Sequence, residues 1–332
     1  MQTVEEENEQ GIATAIDSPP AAPVAEAPDS LTVRRALARL LRKRVKKFVT
    51  LVPEVRMDAN PKTVHDARVW SRRLQQASTA FFPKPRSGKV RRLRRTPRRI
   101  RRALGEWRNC DVLLEIVARQ RRRTRSEAKR RAWDLVGDYL LQRRNKAVAR
   151  AEKKLLRQDL KDYGARAQKL IERAPQESSE ILLQRLSDSV QAAWSEWQST
   201  LTRALETRAV GDVHAFRIAT KDLRYRMELL YDVGCRDVKA QLKWLADLQE
   251  MLGVWHDRQV LNQAVARALA RPEFLLEKLQ GARILLAELE RDRNREAEEV
   301  EKIFRLATDH PGRQQMESWR ESRIVMPLES NK

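Results

Sequence analysis

The chain has 332 residues, a formal net charge of +22, ten glycines and thirteen prolines. Such sparse turn chemistry among abundant Arg, Leu, Ala, Glu and Lys excludes a strand-rich fold and predicts an all-α protein. Cys110 and Cys235 lie far apart without C-x-x-C spacing, and no apolar run nears the ~18 residues of a membrane span, which excludes a disulfide framework, a thiolate zinc site and a transmembrane helix.

Residues 1–30 hold seven acids, no Lys or Arg, and Pro19, Pro20, Pro23 and Pro28; they read as a disordered acidic leader, not a basic-then-apolar signal peptide. The rest of the chain therefore carries seven charges more, +29, an excess that points to a polyanionic partner inside the cell. From Leu31 the apolar residues Leu37, Leu40, Leu41, Val45, Phe48 and Val52 recur at helical steps. A second helix starts near Thr63, after Asn60-Pro61, and ends before Pro83. The next stretch, 84–102, holds eleven basic residues and no acid; Thr96-Pro97 inside it predicts a cap and restart. A long amphipathic helix over 132–156 closes a first unit, and Arg173–Ser179 reads as the linker to a second. The expected organisation is 1–30 leader, 31–177 and 178–308 two four-helix bundles, and 309–332 a loosely ordered tail.

The division rests on an internal echo. Val64-His65-Asp66-Ala67-Arg68-Val69-Trp70-Ser71-Arg72-Arg73-Leu74 returns 149 residues later as Val213-His214-Ala215-Phe216-Arg217-Ile218-Ala219-Thr220-Lys221-Asp222-Leu223. Roughly forty residues beyond each motif, Leu104-Gly105-Glu106-Trp107-Arg108-Asn109 returns as Leu252-Gly253-Val254-Trp255-His256-Asp257. On a helix of 100° per residue, His65, Arg68 and Arg72 share an arc of roughly 60°, opposite Ala67, Trp70, Leu74 and Phe81. His214, Arg217, Lys221 and Arg224 share an arc of roughly 80°, opposite Phe216, Ala219, Leu223 and Met227. One charged face would be an ordinary solvated face. Two that keep the same His and cation positions with no acid in the set point to a site, and Glu228 marks where the second stripe ends.

These motifs resemble the CHAD family, the conserved-histidine α-helical domain, over residues 31–308. The resemblance implies two four-helix bundles related by pseudo-two-fold symmetry, a basic groove between them, and non-catalytic binding of inorganic polyphosphate, often at polyphosphate granules in the cytoplasm. It assigns anion contact to His65, Arg68 and Arg72 in the first copy and to His214, Arg217, Lys221 and Arg224 in the second. Arg98 and Arg108 match basic positions near the family's L-G turn, and Arg73, Arg102 and Lys243 complete the candidate set. Asn109, His256 and Ala246 depart from the family pattern, in which Asp, a basic residue and Lys are usual.

The residue chemistry is compatible with this implication. Arg grips phosphate oxygens with a fixed donor fork, Lys adds a compact charge, and a protonated His donates from both ring nitrogens. Sequence-independent nucleic-acid binding is the alternative, because phosphate contacts alone support it; the low aromatic content, 5%, weighs against base stacking. A metal site from His65, His214 and His256 has no H-E-x-x-H spacing and has cations as neighbours. Phosphoryl-transfer catalysis wants carboxylates to hold Mg²⁺, and the stripes have none. The expectation is a binding protein with no enzymatic activity, cofactor or metal.

Overall fold

The computed structural model describes residues 30–83, 87–174, 177–272 and 279–324, and within them every regular element is helical. The first half contributes α1 (Ser30–Asp58), α2 (Pro61–Phe81), α3 (Gly88–Ala103), α4 (Gly105–Arg123), α5 (Glu127–Leu156) and α6 (Leu160–Glu172). The second contributes α7 (Ser179–Thr207), α8 (Val210–Asp232), a short 3₁₀ turn (Arg236–Val238), α9 (Lys239–Leu269), α10 (Leu279–Thr308) and α11 (Pro311–Ile324). Of the leader expected over 1–30, residues 1–29 lie outside the described residues and Ser30 opens α1, and part of the linker also lies outside them.

Local chemistry fixes several boundaries. Asn60 accepts a hydrogen bond from the Lys62 N–H at 2.8 Å while Pro61 takes the first helical position, where its missing N–H costs nothing. Ser87, Ser126, Asp159 and Ser178 cap α3, α5, α6 and α7 in the same way. The restart expected at Thr96-Pro97 does not occur. Both residues are buried within an unbroken α3, whose apolar line runs Val90, Leu93, Pro97, Ile100, and the break falls at Leu104, ahead of Gly105. The second half has no such break, because α9 passes through Leu252-Gly253 as one helix.

Counting α3 and α4 as one broken helix, each half of the chain contains four longer helices, and a further helix, α6 or α11, follows in each. The loosely ordered tail expected over 309–332 is corrected over 309–324, and 325–332 lie outside the described residues. Met316 and Trp319 of α11 are buried against the rest of the core, and the Trp319 indole N–H reaches Asp237 at 3.2 Å.

Packing crosses the sequence boundary. The larger core joins α1 and α2 (Leu37, Phe48, Leu74) to α7, α8 and α9 (Trp194, Trp197, Phe216, Trp244). A smaller core is built from α4 and α5 (Leu113, Trp133, Val136) with α9 and α10 (Leu261, Val265, Leu285). Trp194 stacks on Trp197 at 4.8 Å, and Trp197 donates to Thr220 on the back of α8 at 3.0 Å, fixing how α8 lies against α7. Arg44, 2% exposed on α1, donates to Asp232 at the end of α8 (2.7 Å) and to the Arg73 carbonyl of α2 (2.8 Å), so one buried cation ties both motif helices to α1. Burial lowers its pKa, and Asp232 opposes that shift.

Gly312 opens α11 directly against the Trp244 ring. A Cβ there would lie 2.6 Å from Trp244 Cβ and 2.8 Å from Cγ, atoms that cannot swing aside. Gly312→Ala should force α11 outward at an overpacking cost of ~1–3 kcal/mol, seen as a Tm lowered by several degrees in thermal denaturation. An unchanged Tm would show that α11 is not seated on Trp244.

Candidate anion-binding site

The motif helices α2 and α8 meet with their apolar sides in the core and their cationic stripes toward one another. Ala67, Leu74 and Phe81 of α2 and Phe216, Leu223 and Met227 of α8 are buried, which turns Arg68, Arg72, Arg217 and Lys221 inward to a half-buried setting. The helices are joined where Arg72 lies over the Tyr225 ring (5.3 Å), Gln76 donates to Asp222 (2.8 Å) and Arg73 meets Glu228 (3.3 Å). Glu228 also takes Arg224, at 2.7 Å, so this carboxylate ends the cationic run on both helices.

Three further helices, α3, α4 and α9, wall the cluster. Where α3 ends ahead of α4, Arg68 Nη1 donates to the Arg101 carbonyl at 2.7 Å. Arg101 donates in turn to Gln75 of α2 at 2.8 Å. From α4, Arg108 lies close enough for its charge to act on His65 and Arg68 and, across the halves, on Asp257. From α9, the His256 ring stands 5.0 Å from that of His214.

Charge in this cluster is poorly compensated. Burial, then the cations Arg217, Arg72 and Arg68, push the Lys221 ammonium down to about 7, against a weaker pull from Asp257. Burial and neighbouring guanidiniums bring Arg68 and Arg101 down to about 10. His65 and His214 are lowered by burial, aided by Arg108 and by Arg217 respectively, and His256 falls to about 4 through burial and the Arg217 charge. Burial raises Asp257, though Arg217, Arg108 and Lys221 resist it. Arg101 Nη1 and Arg217 Nε are buried donors without an acceptor.

The structure thus brings together His65, Arg68, Arg72, Arg108, His214, Arg217 and Lys221. Arg73 and Arg224 sit at the edge, committed to Glu228. Arg98 is exposed beside Arg101. Two candidates turn elsewhere. Arg102 points to the far side of α3, toward Lys154 and Arg157, and Lys243 is exposed and paired with Asp247 at 2.9 Å. Arg101, His256 and Asp257 belong to the cluster and were not in the candidate set. Arg101 was visible on a helical wheel, where it borders the buried line of α3 while its neighbour Arg102 faces outward. His256 and Asp257 stand where Arg108 and Asn109 stand in the first L-G segment.

Trp107 and Trp255 of the L-G segments are buried, as their packing role requires. Their neighbours anchor the segments to the adjacent long helices: Glu106 pairs with Arg143, Asp111 with Arg144 (2.6 Å), and Arg258 with Glu299. Cys110 is buried, its thiol raised to about 11 by burial and Glu106. Among the described residues no helix is long and apolar enough to cross a membrane.

The depressed Lys221 pKa has a stability consequence. Charging this amine costs more in the fold than in the unfolded chain, so the penalty is complete below about pH 7, shrinks as pH rises toward the ordinary lysine value, and then vanishes. Lys221→Met should therefore raise the Tm of the free protein at neutral pH, with the gain fading by pH 10. A lower Tm at pH 7 would mean that Lys221 is stabilised by its surroundings.

A family model for the CHAD domain matches residues 39–266. Among solved structures, the chain is similar to the CHAD domain from the plant Ricinus communis, at 21% identity over 87% of this chain and 96% of that one, with a TM-score of 0.63. It is also similar to PptA from Streptomyces chartreusis, at 17% identity over 83% of this chain and 99% of that one, with a TM-score of 0.61. No curated protein matches. At these identities the structural likeness speaks to the all-α fold alone, and with a family model covering more than half of its length, the chain belongs to the CHAD domain family.

Proposed function

We propose that this protein binds inorganic polyphosphate without turning it over, in the cluster between α2 and α8. The observation that carries the reading is the convergence of Arg68, Arg72, Arg101, Arg108, Arg217 and Lys221 from four helices, with Asp257 pulling on both Arg217 and Lys221. A partly buried group of like charges is unfavourable until an anion enters. The acceptor-less donors of Arg101 and Arg217 are groups that phosphate oxygens would satisfy. Polyphosphate presents charge at every repeat and no bases, which suits a site of cations with buried aromatics. Association with polyphosphate granules in the cytoplasm would follow from such binding.

The histidines take a smaller part in this reading than their place in the motif suggests. Burial and neighbouring cations lower the pKa of His65 and His214 from the ordinary histidine value and bring His256 to about 4, which disfavours their charged forms in the free protein.

Replacing Arg68, Arg72, Arg217 and Lys221 together by Gln should abolish polyphosphate binding in a calorimetric titration while the helical circular dichroism persists. Full affinity in a folded quadruple variant would remove the cluster from the mechanism.

Binding should also take up protons, because a bound polyanion raises the pKa of Lys221 and of the histidines. Affinity is then expected to fall as pH rises above about 7, where free Lys221 loses its proton. Titration in buffers of different ionisation enthalpy reads the uptake directly, and Lys221→Met should reduce it. Equal affinity from pH 6 to 9 with no proton uptake would sink this prediction.

A further inference from the structure

We propose that the outer face of α3 is a second polyphosphate-binding surface, a cationic track that leaves the α2/α8 cluster and engages the overhang of long chains. The proposal rests on the polyphosphate reading above and adds a chain-length preference to it.

The face is set by the α3 pattern. With Val90, Leu93, Pro97 and Ile100 buried, Arg91, Arg92, Arg95, Arg98, Arg99 and Arg102 occupy the opposite arc and are all exposed. None of the six has a carboxylate within ion-pair distance among the described residues. Elsewhere on the surface, by contrast, arginines find local acids, as Arg119 does with Glu115 and Arg166 with Asp162. Six like charges on one helical arc repel one another unless an anion lies along them. At 1.5 Å per residue the sixteen residues of α3 run for ~24 Å, enough for many phosphate repeats.

The track joins the cluster at one flank. Arg101 belongs to the cluster and Arg98, one turn back, is near enough for its charge to act on Arg101. A chain leaving the cluster past Arg101 therefore meets Arg98 next, with Arg95 and Arg91 beyond. On the other flank Arg99 and Arg102 join Lys154 and Arg157 around a concavity of about 370 Å³ floored by Ile100 and Ala103, again with no acid in its lining. The exposed α3 face carries no aromatic ring on which a base could stack.

The second half lacks this surface. The matching stretch of α9 places Lys239, Ala240, Lys243, Ala246, Asp247 and Glu250 at the corresponding positions, two cations against two acids, and Lys243 is already paired with Asp247. The α3 charge is not repeated in the second half and sits on one side of the cluster only.

The test is a full-length R92Q/R95Q/R99Q/R102Q variant, its helicity checked by circular dichroism, titrated with tripolyphosphate and with long-chain polyphosphate. A variant with the same charge loss at exposed α1 positions, R39Q/R42Q/K43Q/K46Q, controls for net charge. The track predicts unchanged tripolyphosphate affinity, long-chain affinity lowered on the order of tenfold or more, and a log–log salt slope shallower by about three, as expected when that many contacts are lost. The α1 variant should keep its long-chain affinity. Undiminished long-chain binding in the α3 variant, an equal loss in the α1 variant, or weaker tripolyphosphate binding in the α3 variant overturns the track. Loss of duplex DNA affinity alone would assign the face to nucleic acid and likewise overturn it. A wild-type protein that binds neither phosphate chain would instead sink the underlying polyphosphate reading.

Discussion

The mutual repulsion of Arg68, Arg72, Arg101, Arg217 and Lys221 is the constraint around which the rest of the molecule is arranged. Two unit charges 4 Å apart cost ~1 kcal/mol in water and ~4 kcal/mol at the effective dielectric of a protein surface. The apolar backs of the same helices oppose this, since each fully buried Leu or Phe side chain contributes ~1.5–3 kcal/mol. Leu74, Phe216 and Leu223 lie directly behind the cations and are fully buried. Arg44 and the Trp194–Trp197 stack hold α2 and α8 from behind, so the helices cannot relax apart to relieve the charge. The site is strained electrostatically because it is well packed hydrophobically.

This arrangement explains why the two halves share cores. If each half had folded around its own interior, α2 and α8 would be free to rotate their cations into water. Instead α1 contacts α2, α7 and α8, while α4 and α5 pack with α9 and α10 in the smaller core. The positions of Arg108 and His256, one from each L-G segment, are fixed by the same packing, since Trp107 and Trp255 beside them are buried in the larger core. Residues from both halves thus converge on one cluster.

The sequence carried the helical class, the two motif helices and their inward cations, because each follows from a period of 3.6 and a repeated spacing. It also placed Glu228 as the end of the stripe. What it hid depends on tertiary geometry. Pro97 read as a break, yet the continuous apolar line of α3 holds the helix together and the break falls at Leu104, close to the Arg101 carbonyl that Arg68 engages. The wheel of α3 separates Arg101 from Arg102, but that Arg101 then reaches Gln75 of α2 and joins the cluster depends on how α3 packs on α2. Helix α11 lacked a long apolar repeat and read as a tail; its burial comes from Met316, Trp319 and the Gly312 contact with Trp244. Asp257 matters through cations on other helices, Arg217, Arg108 and Lys221, that no spacing within its own segment discloses.

The most direct measurement is the titration of the Lys221 ammonium by carbon-detected NMR, with and without saturating polyphosphate. An amine held among uncompensated cations titrates near 7 in the free protein, and a polyanion seated in the cluster should move that midpoint upward by more than one pH unit. A midpoint near the ordinary lysine value in the free protein, or one that polyphosphate leaves in place, would contradict the account.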